Sequence, residues 1–297
     1  MLYELLNTLG PIRLTPSTTQ RLLENLGHRP NKKLGQHFLI DANIARKSLA
    51  FAQVTAGESI IEIGAGLGAL TLKLLEAGAT VYAVEYDPVL ALYLRRTLIP
   101  LYGERFRLCE GDALKYPLGL WEEESIGKKP FKIVANLPYA IATPWLDAVL
   151  SNSTQLPCQM VLMVQQEAAQ RLTAPVGSKH NSALALALTA AYDRETMHRV
   201  SPRCFYPEPK VDNVLVKLHR KAAPFRFKAP TRNLMRTFFI HRRKQIQTLC
   251  RNLPAENRLL EDWLKQDVIA YGIPSKVRPE ALSLDCWKRL DNRFQKR

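Results

Sequence analysis

Long apolar runs are missing from this chain. No stretch approaches the roughly 20 consecutive apolar residues that a membrane-crossing helix needs, so a protein without membrane spans is expected. The opening residues lack a basic n-region followed by an unbroken apolar h-region, and Glu4 and Glu24 argue against a transit peptide. Cysteine is scarce and scattered. Cys109, Cys158, Cys204, Cys250 and Cys286 form no CxxC pair and have no close His, which speaks against zinc and against a disulfide framework. Reduced thiols, a cytoplasmic location and no metal are the expectation. Acidic residues are also in deficit. The formal net charge is +15 and the pI near 9.7. From Asn213 to Ala255 there are eleven Lys or Arg and no Asp or Glu. One-signed charge of this kind repels itself unless something anionic sits against it, so a polyanionic partner is expected, with nucleic acid ahead of an anionic membrane.

What is present is a chain of 297 residues, enough for one large domain and a smaller one. Two leucine-rich helical patterns, Tyr3 to Leu9 and Thr18 to Leu26, open it, and Asp41 is a plausible N-cap for a helix reaching Val54. Strand and helix patterns then alternate. Strands are expected at Ser59 to Ile63, Thr80 to Val84, Phe106 to Cys109, Phe131 to Ala135, Gln159 to Val164, Thr196 to Val200 and Val214 to Leu218. Helical patterns separate most of them, including Gln166 to Leu172 and Ala183 to Tyr192. Such alternation predicts an α/β fold with a mainly parallel, Rossmann-like sheet covered on both faces. Beyond His219 the pattern becomes wholly helical: Thr231 to Leu253, Asn257 to Tyr271 and Pro279 to Phe294.

The apolar run from Phe131 ends abruptly in Asn136-Leu137-Pro138-Tyr139. Pro138 cannot continue a central strand, so the chain turns at the carboxyl end of the sheet, where ligands of open α/β sheets bind. Tyr139 offers a stacking face, and Asn136 offers a carbonyl acceptor beside an NH2 donor. A plain Asn turn is the competing reading. Glu62-Ile63-Gly64-Ala65-Gly66-Leu67-Gly68 is a strand running into a glycine-rich turn, and Gly64, Gly66 and Ala69 also satisfy the dinucleotide spacing G-x-G-x-x-G/A. Glu85 closes the next strand, 21 residues after Gly64, where a carboxylate accepts from a ribose diol. Asp112, in Gly111-Asp112-Ala113, is placed to accept from an adenine amino group or simply to make an Asx turn. NAD and S-adenosylmethionine share that ribose, so a dehydrogenase stays open, as does a non-catalytic nucleic-acid-binding factor.

Taken in order, these motifs resemble those of S-adenosylmethionine-dependent adenine-N6 methyltransferases. Lys33-Leu-Gly-Gln-His-Phe-Leu39, Gln166-Glu-Ala-Ala-Gln-Arg-Leu172, Phe205-Tyr-Pro-Glu-Pro-Lys-Val-Asp212 and Phe239-Ile-His-Arg-Arg-Lys244 narrow the resemblance to the ribosomal RNA small subunit adenine dimethyltransferase family. The resemblance implies a seven-stranded class I methyltransferase sheet and a small helical C-terminal domain. Its division is 1–30 as an extension, 31–221 as the methyltransferase domain and 222–297 as a basic RNA-binding domain. It implies S-adenosylmethionine as cofactor and two adjacent adenosines, in a hairpin loop near the 3′ end of small-subunit RNA, as substrate. The partners it implies are that RNA and the pre-30S particle, met by a monomer. Carried over by residue, His37, Leu39, Glu62, Gly64, Gly66, Glu85, Asp112 and Asn136 contact the cofactor. Asn136 and the Leu137 carbonyl accept from the target amine, and Tyr139 and Phe205 sandwich the base. Arg236, Arg242, Arg243, Lys244 and Arg251 meet RNA, while Phe238, Phe239, Ile246 and Leu249 on the same pattern are expected to face the sheet. Two departures stand out: Ala140-Ile141-Ala142 where Asn-Ile-Ser or Asn-Ile-Thr is frequent, and Asn181-Ser182 where Tyr-Gly is common. Two polar side chains expected near the target base are thus missing.

Overall fold

The computed structural model describes residues 14–124, 129–153, 155–253 and 257–294. The Tyr3 to Leu9 pattern lies outside them. The chain forms two compact units, one from residues up to Ala168 with Arg194–Arg220, the other from Ala169–Asp193 with the residues from Lys221 onward.

The first unit is built on a sheet whose strands begin and end close to where the apolar runs do. After a two-residue strand β1 (Phe38–Leu39) come β2 (Ser59–Ile63), β3 (Thr80–Glu85), β4 (Phe106–Glu110), β5 (Phe131–Asn136), β6 (Gln159–Gln165), β7 (Tyr192–Val200), β8 (Phe205–Tyr206) and β9 (Asn213–Arg220). Seven form one sheet in the order β4-β3-β2-β5-β6-β9-β7. The pairs β2–β3, β2–β5, β3–β4 and β5–β6 are parallel, and β9 runs antiparallel to β6. The strands joined by crossovers are buried on both faces, which is why they read as continuous apolar runs. β1 and β8 pair separately, with Phe38 opposite Tyr206 and Leu39 opposite Phe205.

Strand order reverses between β2 and β5, so the turns leaving those two strands flank the switch point at which α/β sheets hold ligands. Side-chain caps start several helices of this unit, the expected one at Asp41 among them. In α1 (Pro16–Asn25) Thr15 forms a capping box with Thr18; in α2 (Ala42–Ala52) Asp41 accepts from the N–H groups of Asn43 and Ile44. Helix α3 (Ala69–Glu76) follows the glycine turn, and Asp87 caps α4 (Pro88–Tyr102). Helix α5 (Ala142–Asn152) begins directly after the Asn-Leu-Pro-Tyr turn. Residues 14–26 pack on this unit: Leu23 is 3% exposed, and Leu14, Leu22 and Leu26 lie against the same apolar core.

The second unit is helical and has its own core around Phe238, Trp263 and Trp287. It contains α6 (Gln166–Leu172) from Ala169 on, then α7 (Ala183–Ala191), α8 (Ala229–Ile240), α9 (Ile246–Arg251), α10 (Asn257–Trp263) and α11 (Leu284–Arg293). Two expectations change here. Sequence adjacency puts residues 169–193 with the sheet, yet Leu186 and Ala190 of α7 lie in the helical core. The single helix expected from Thr231 to Leu253 is two, broken at 241–245. The Ile246 N–H donates to the Val277 carbonyl at 2.8 Å instead of back into the helix, and Lys244 N–H closes a turn on His241 at 2.8 Å. Phe238, Ile246 and Leu249 consequently fill the helical unit's own core rather than serving as a face for the sheet. Among the described residues no helix is long and apolar enough to cross a membrane.

Candidate active site

The carboxyl ends of β2, β3, β4 and β5, with the loop before β1, enclose a cleft of about 250 Å³. Its walls include Leu34 to Leu39, Glu62 to Leu67, Glu85, Tyr86, Asp112 and Asn136 to Ile141. The residues expected to hold a cofactor are separated in sequence by strands and helices, and the switch point brings all of them to this cleft, from His37 in the loop before β1 to Asn136 at the end of β5.

The glycine turn is shaped to bring backbone close to a ligand. Gly64 and Gly66 have φ of +72° and +58°, in the left-handed region that favours glycine. A Cβ on Gly64 would lie 2.9 Å from Pro138 Cγ, and one on Gly66 would lie 3.1 Å from Phe38 Cδ1. Gly66 N–H donates to Glu85 Oε2 at 2.8 Å, and Asp87 N–H donates to Glu85 Oε1 at 2.9 Å. Each Glu85 oxygen thus uses one acceptor site on backbone and retains another for a ligand hydroxyl. Burial raises the Glu85 pKa, and those backbone donors act the other way. Glu62 is more extreme. It is 2% exposed, its Oε2 has no partner, and burial, assisted by the Glu85 charge and opposed by Thr71, pushes its pKa up to about 8. Asp112 combines both readings: Oδ1 accepts from Leu114 N–H at 2.8 Å in an Asx turn, and the residue still lines the cleft.

On the opposite wall Asn136 Nδ2 donates to the His37 carbonyl at 3.1 Å. That bond fixes the amide's orientation and turns Oδ1 away from the carbonyl, as an acceptor. His37 is held in turn through Nδ1, 2.6 Å from the Pro207 carbonyl, and its ring lies against Tyr139 with centroids 5.1 Å apart. Burial keeps the Tyr139 phenol above its ordinary pKa, with the Asn213 amide acting against it. Leu137 N–H bonds the Met163 carbonyl at 3.1 Å and ties the turn to β6. Leu39 lines the cleft from β1.

Phe205 is the correction. It is 3% exposed, sits in the apolar core opposite Leu39 and is absent from the cleft wall, so it offers no face to a base. An aromatic in a proline-rich motif suits stacking and core packing alike, and pairing with β1 decides between them. Asn181 and Ser182 belong to the second unit, where Asn181 Nδ2 bonds the Glu280 carbonyl and Ser182 caps α7. Sequence reasoning missed Tyr86, 60% exposed on the cleft wall, and Asp87, although Asp-Pro at a helix start is a recognisable cap. It also missed Gln36, whose signal is only its place in the motif before β1.

Of the five cations expected to meet RNA, all lie in the second unit. Arg236, Arg243, Lys244 and Arg251 are exposed. Arg242 is half-buried and ion-paired with Glu280 at 3.6 Å, which makes it a brace rather than a free phosphate ligand. Among the described residues no cluster of three His, Cys, Asp or Glu is arranged to hold a metal ion.

Comparison with known proteins agrees with this arrangement. The family model described as "Ribosomal RNA adenine dimethylase" matches residues 27–290. A ribosomal RNA small subunit methyltransferase A from Opitutus terrae is 49% identical over 281 residues, 94% of this chain and 99% of that protein. One from Chlamydia abortus is 36% identical over 282 residues, 94% and 96% of the two chains. Among solved structures, a dimethyladenosine transferase from Plasmodium falciparum has a TM-score of 0.69 at 26% identity, covering 88% of this chain and 98% of that one. The 23S rRNA methyltransferase ErmE has a TM-score of 0.59 at 24% identity, covering 87% and 99%, a likeness of fold. A cleft at the switch point of a class I methyltransferase sheet, the Asn-Leu-Pro-Tyr turn in its wall and a family match over most of the length converge: the chain belongs to the ribosomal RNA adenine dimethylase family.

Proposed function

We propose that the protein transfers methyl groups from S-adenosylmethionine to N6 of two adjacent adenosines in a hairpin loop near the 3′ end of small-subunit ribosomal RNA. It acts as a cytoplasmic monomer on the pre-30S particle. The observation that supports this reading is the Asn136 amide in the cleft wall, whose donor bond to the His37 carbonyl leaves Oδ1 to accept.

The cleft fits the cofactor on two counts: the cradle at Gly64 and Gly66 is one that a Cβ would fill, and the orphaned Glu62 Oε2 is suited to a cationic ligand. Glu85 would take the ribose hydroxyls, Asp112 the adenine amino group, and the turn after β2, with His37 and Leu39, the rest of the molecule. S-adenosylmethionine supplies an electrophilic methyl carbon when bound. The residues of the chain deal with the nucleophile. An adenine N6 lone pair is delocalised into its ring, and acceptors on its N–H groups favour the pyramidal nitrogen that attacks. Asn136 Oδ1 and the Leu137 carbonyl are those acceptors, and Tyr139 stacks on the base once it leaves its helix, for about 1 to 3 kcal/mol. Alignment does most of the work, and no strong base is needed. Ala140 and Ala142 contribute no polar group beside them.

The test is incubation of the protein with labelled S-adenosylmethionine and unmethylated small-subunit particles, followed by nucleoside analysis. Label in N6,N6-dimethyladenosine at two neighbouring positions is the expected result; label elsewhere, or none, overturns the proposal.

A further inference from the structure

His28 lies in the segment before the sheet, a few residues ahead of the Lys33–Leu39 motif, and it is bonded to Asp87, 59 residues away. It is 9% exposed, and its Nε2 lies 2.7 Å from Asp87 Oδ2. Gln36 Nε2 donates to the same Asp87 oxygen at 3.1 Å, and Gln36 Oε1 accepts from the Asn31 N–H at 2.8 Å. Asp87 is also bonded on its other side. Its Oδ1 caps α4 through the Val89 N–H at 3.0 Å, and its own N–H holds Glu85 Oε1 at 2.9 Å. Both arms end on the cleft: Leu34 to His37 form one wall, Glu85 and Tyr86 part of another.

Anchoring the N-terminal segment does not require this polar arrangement, because Leu22, Leu23 and Leu26 already pack it on the core. A buried imidazole–carboxylate pair carries a desolvation cost that a ring of similar size without nitrogen would avoid. The His28 and Phe38 rings meet in a T-shaped arrangement with centroids 6.4 Å apart, a contact that an aromatic hydrocarbon could also make. What the nitrogen adds to that packing is a bond to Asp87, and through it a tie between two walls of the cleft. We propose that His28 is a positioning residue for the cofactor cleft. Through Asp87 and Gln36 it fixes residues 31–37 against the carboxyl end of β3, and so sets the spacing between the wall that carries His37 and the wall that carries Glu85. The inference rests on the reading of this cleft as the S-adenosylmethionine site.

The experiment compares His28→Phe, which keeps an aromatic ring, somewhat larger, and loses the donor, with His28→Gln, whose amide N–H2 can again donate to Asp87. Binding of S-adenosylmethionine and S-adenosylhomocysteine is titrated calorimetrically, and KM and kcat are measured on small-subunit particles. Removing one hydrogen bond to a carboxylate that holds a binding wall corresponds to about a tenfold rise in Kd and in KM for the cofactor. The expected result for His28→Phe is that rise, with kcat at saturating cofactor within about twofold of the parent. His28→Gln should return to the parent affinity. A folded His28→Phe protein with parental Kd, a His28→Gln protein as weak as His28→Phe, or an effect confined to kcat would overturn the proposal. Should His28→Phe fail to fold, Gln36→Met, which removes the other donor to Asp87, carries the same test, and an unchanged Kd overturns it. Parent protein that binds no S-adenosylmethionine would instead bring down the cofactor reading itself.

Discussion

Glu62→Gln removes a single proton-binding site and should change how stability depends on pH. The carboxyl is 2% exposed, its Oε2 is unpartnered, and its pKa in the folded chain is pushed from the ordinary 4.5 to about 8 by burial and by the neighbouring Glu85 charge. A carboxyl with a raised folded pKa is protonated in the native state while the unfolded chain has already released its proton. Its relative stability is therefore full below about pH 4.5 and lost progressively as pH rises through about 8. At 1.36 kcal/mol per pKa unit, the decrease across that window reaches at most on the order of 5 kcal/mol. Glutamine has the same shape and no proton to release, so it escapes that decrease. Thermal melts of the ligand-free proteins at pH 5, 6.5 and 8 should show similar Tm values at the acidic end. The variant should gain as pH rises, on the order of 10 °C at pH 8 if the whole effect is expressed. Calorimetry supplies an independent reading: S-adenosylmethionine brings cationic groups that favour the Glu62 anion, so binding near pH 7 should release a proton from the parent and not from the variant. A variant whose Tm follows pH as the parent's does, together with equal proton release, would refute the assignment of a neutral Glu62.

Three other outcomes are expected. Asn136→Ala should lower the single-turnover rate at saturating cofactor by roughly 100-fold to 1,000-fold, the scale of removing one preorganised hydrogen-bonding group, and an unchanged rate removes Asn136 from the chemistry. S-adenosylmethionine or S-adenosylhomocysteine should raise the Tm by mass action while NAD does not; stabilisation by NAD alone sinks the cofactor assignment. Replacing Arg243, Lys244 and Arg251 with Gln should flatten the slope of log affinity for small-subunit particles against log salt by about 0.7 to 0.9 for each phosphate that is no longer neutralised. Cofactor affinity should hold, and Arg242→Gln alone should barely alter the slope because its guanidinium faces Glu280. Equal slopes for the triple variant and the parent would move the RNA-binding surface elsewhere, with Lys32 and Lys33 as the next place to look.

The inner strands of the sheet were legible because they are short apolar runs, and such signals are local; β7, largely polar, begins at Tyr192 rather than at the expected Thr196. The cleft was legible for the same reason: Gly64, Glu85, Asp112 and Asn136 all stand at strand ends, and parallel crossovers place such ends side by side. Misreadings arose where partner choice decides. The helical period runs through 241–245 without a breaker, and only the Val277 carbonyl claiming the Ile246 N–H reveals the break. Ala183–Ala191 is apolar enough to fit either core. Phe205 needed its pairing with Leu39 to be recognised as core. His28 and Asp87 are 59 residues apart, and neither carries a local sign of the other.

The close approach of Gly64 to Pro138 has a wider consequence. In the proposed reaction the turn after β2 lies on the methyl donor's side of the cleft, and the turn after β5 on the acceptor's side. Their separation is set by van der Waals touch, with a Cβ on Gly64 only 2.9 Å from Pro138 Cγ. Under that proposal the two substrates would share one footing, and neither half could be tuned alone. Any side chain introduced at Gly64 would wedge the turns apart unless residue 138 shrank in compensation, and a methyl group would then have further to travel than an in-line transfer allows.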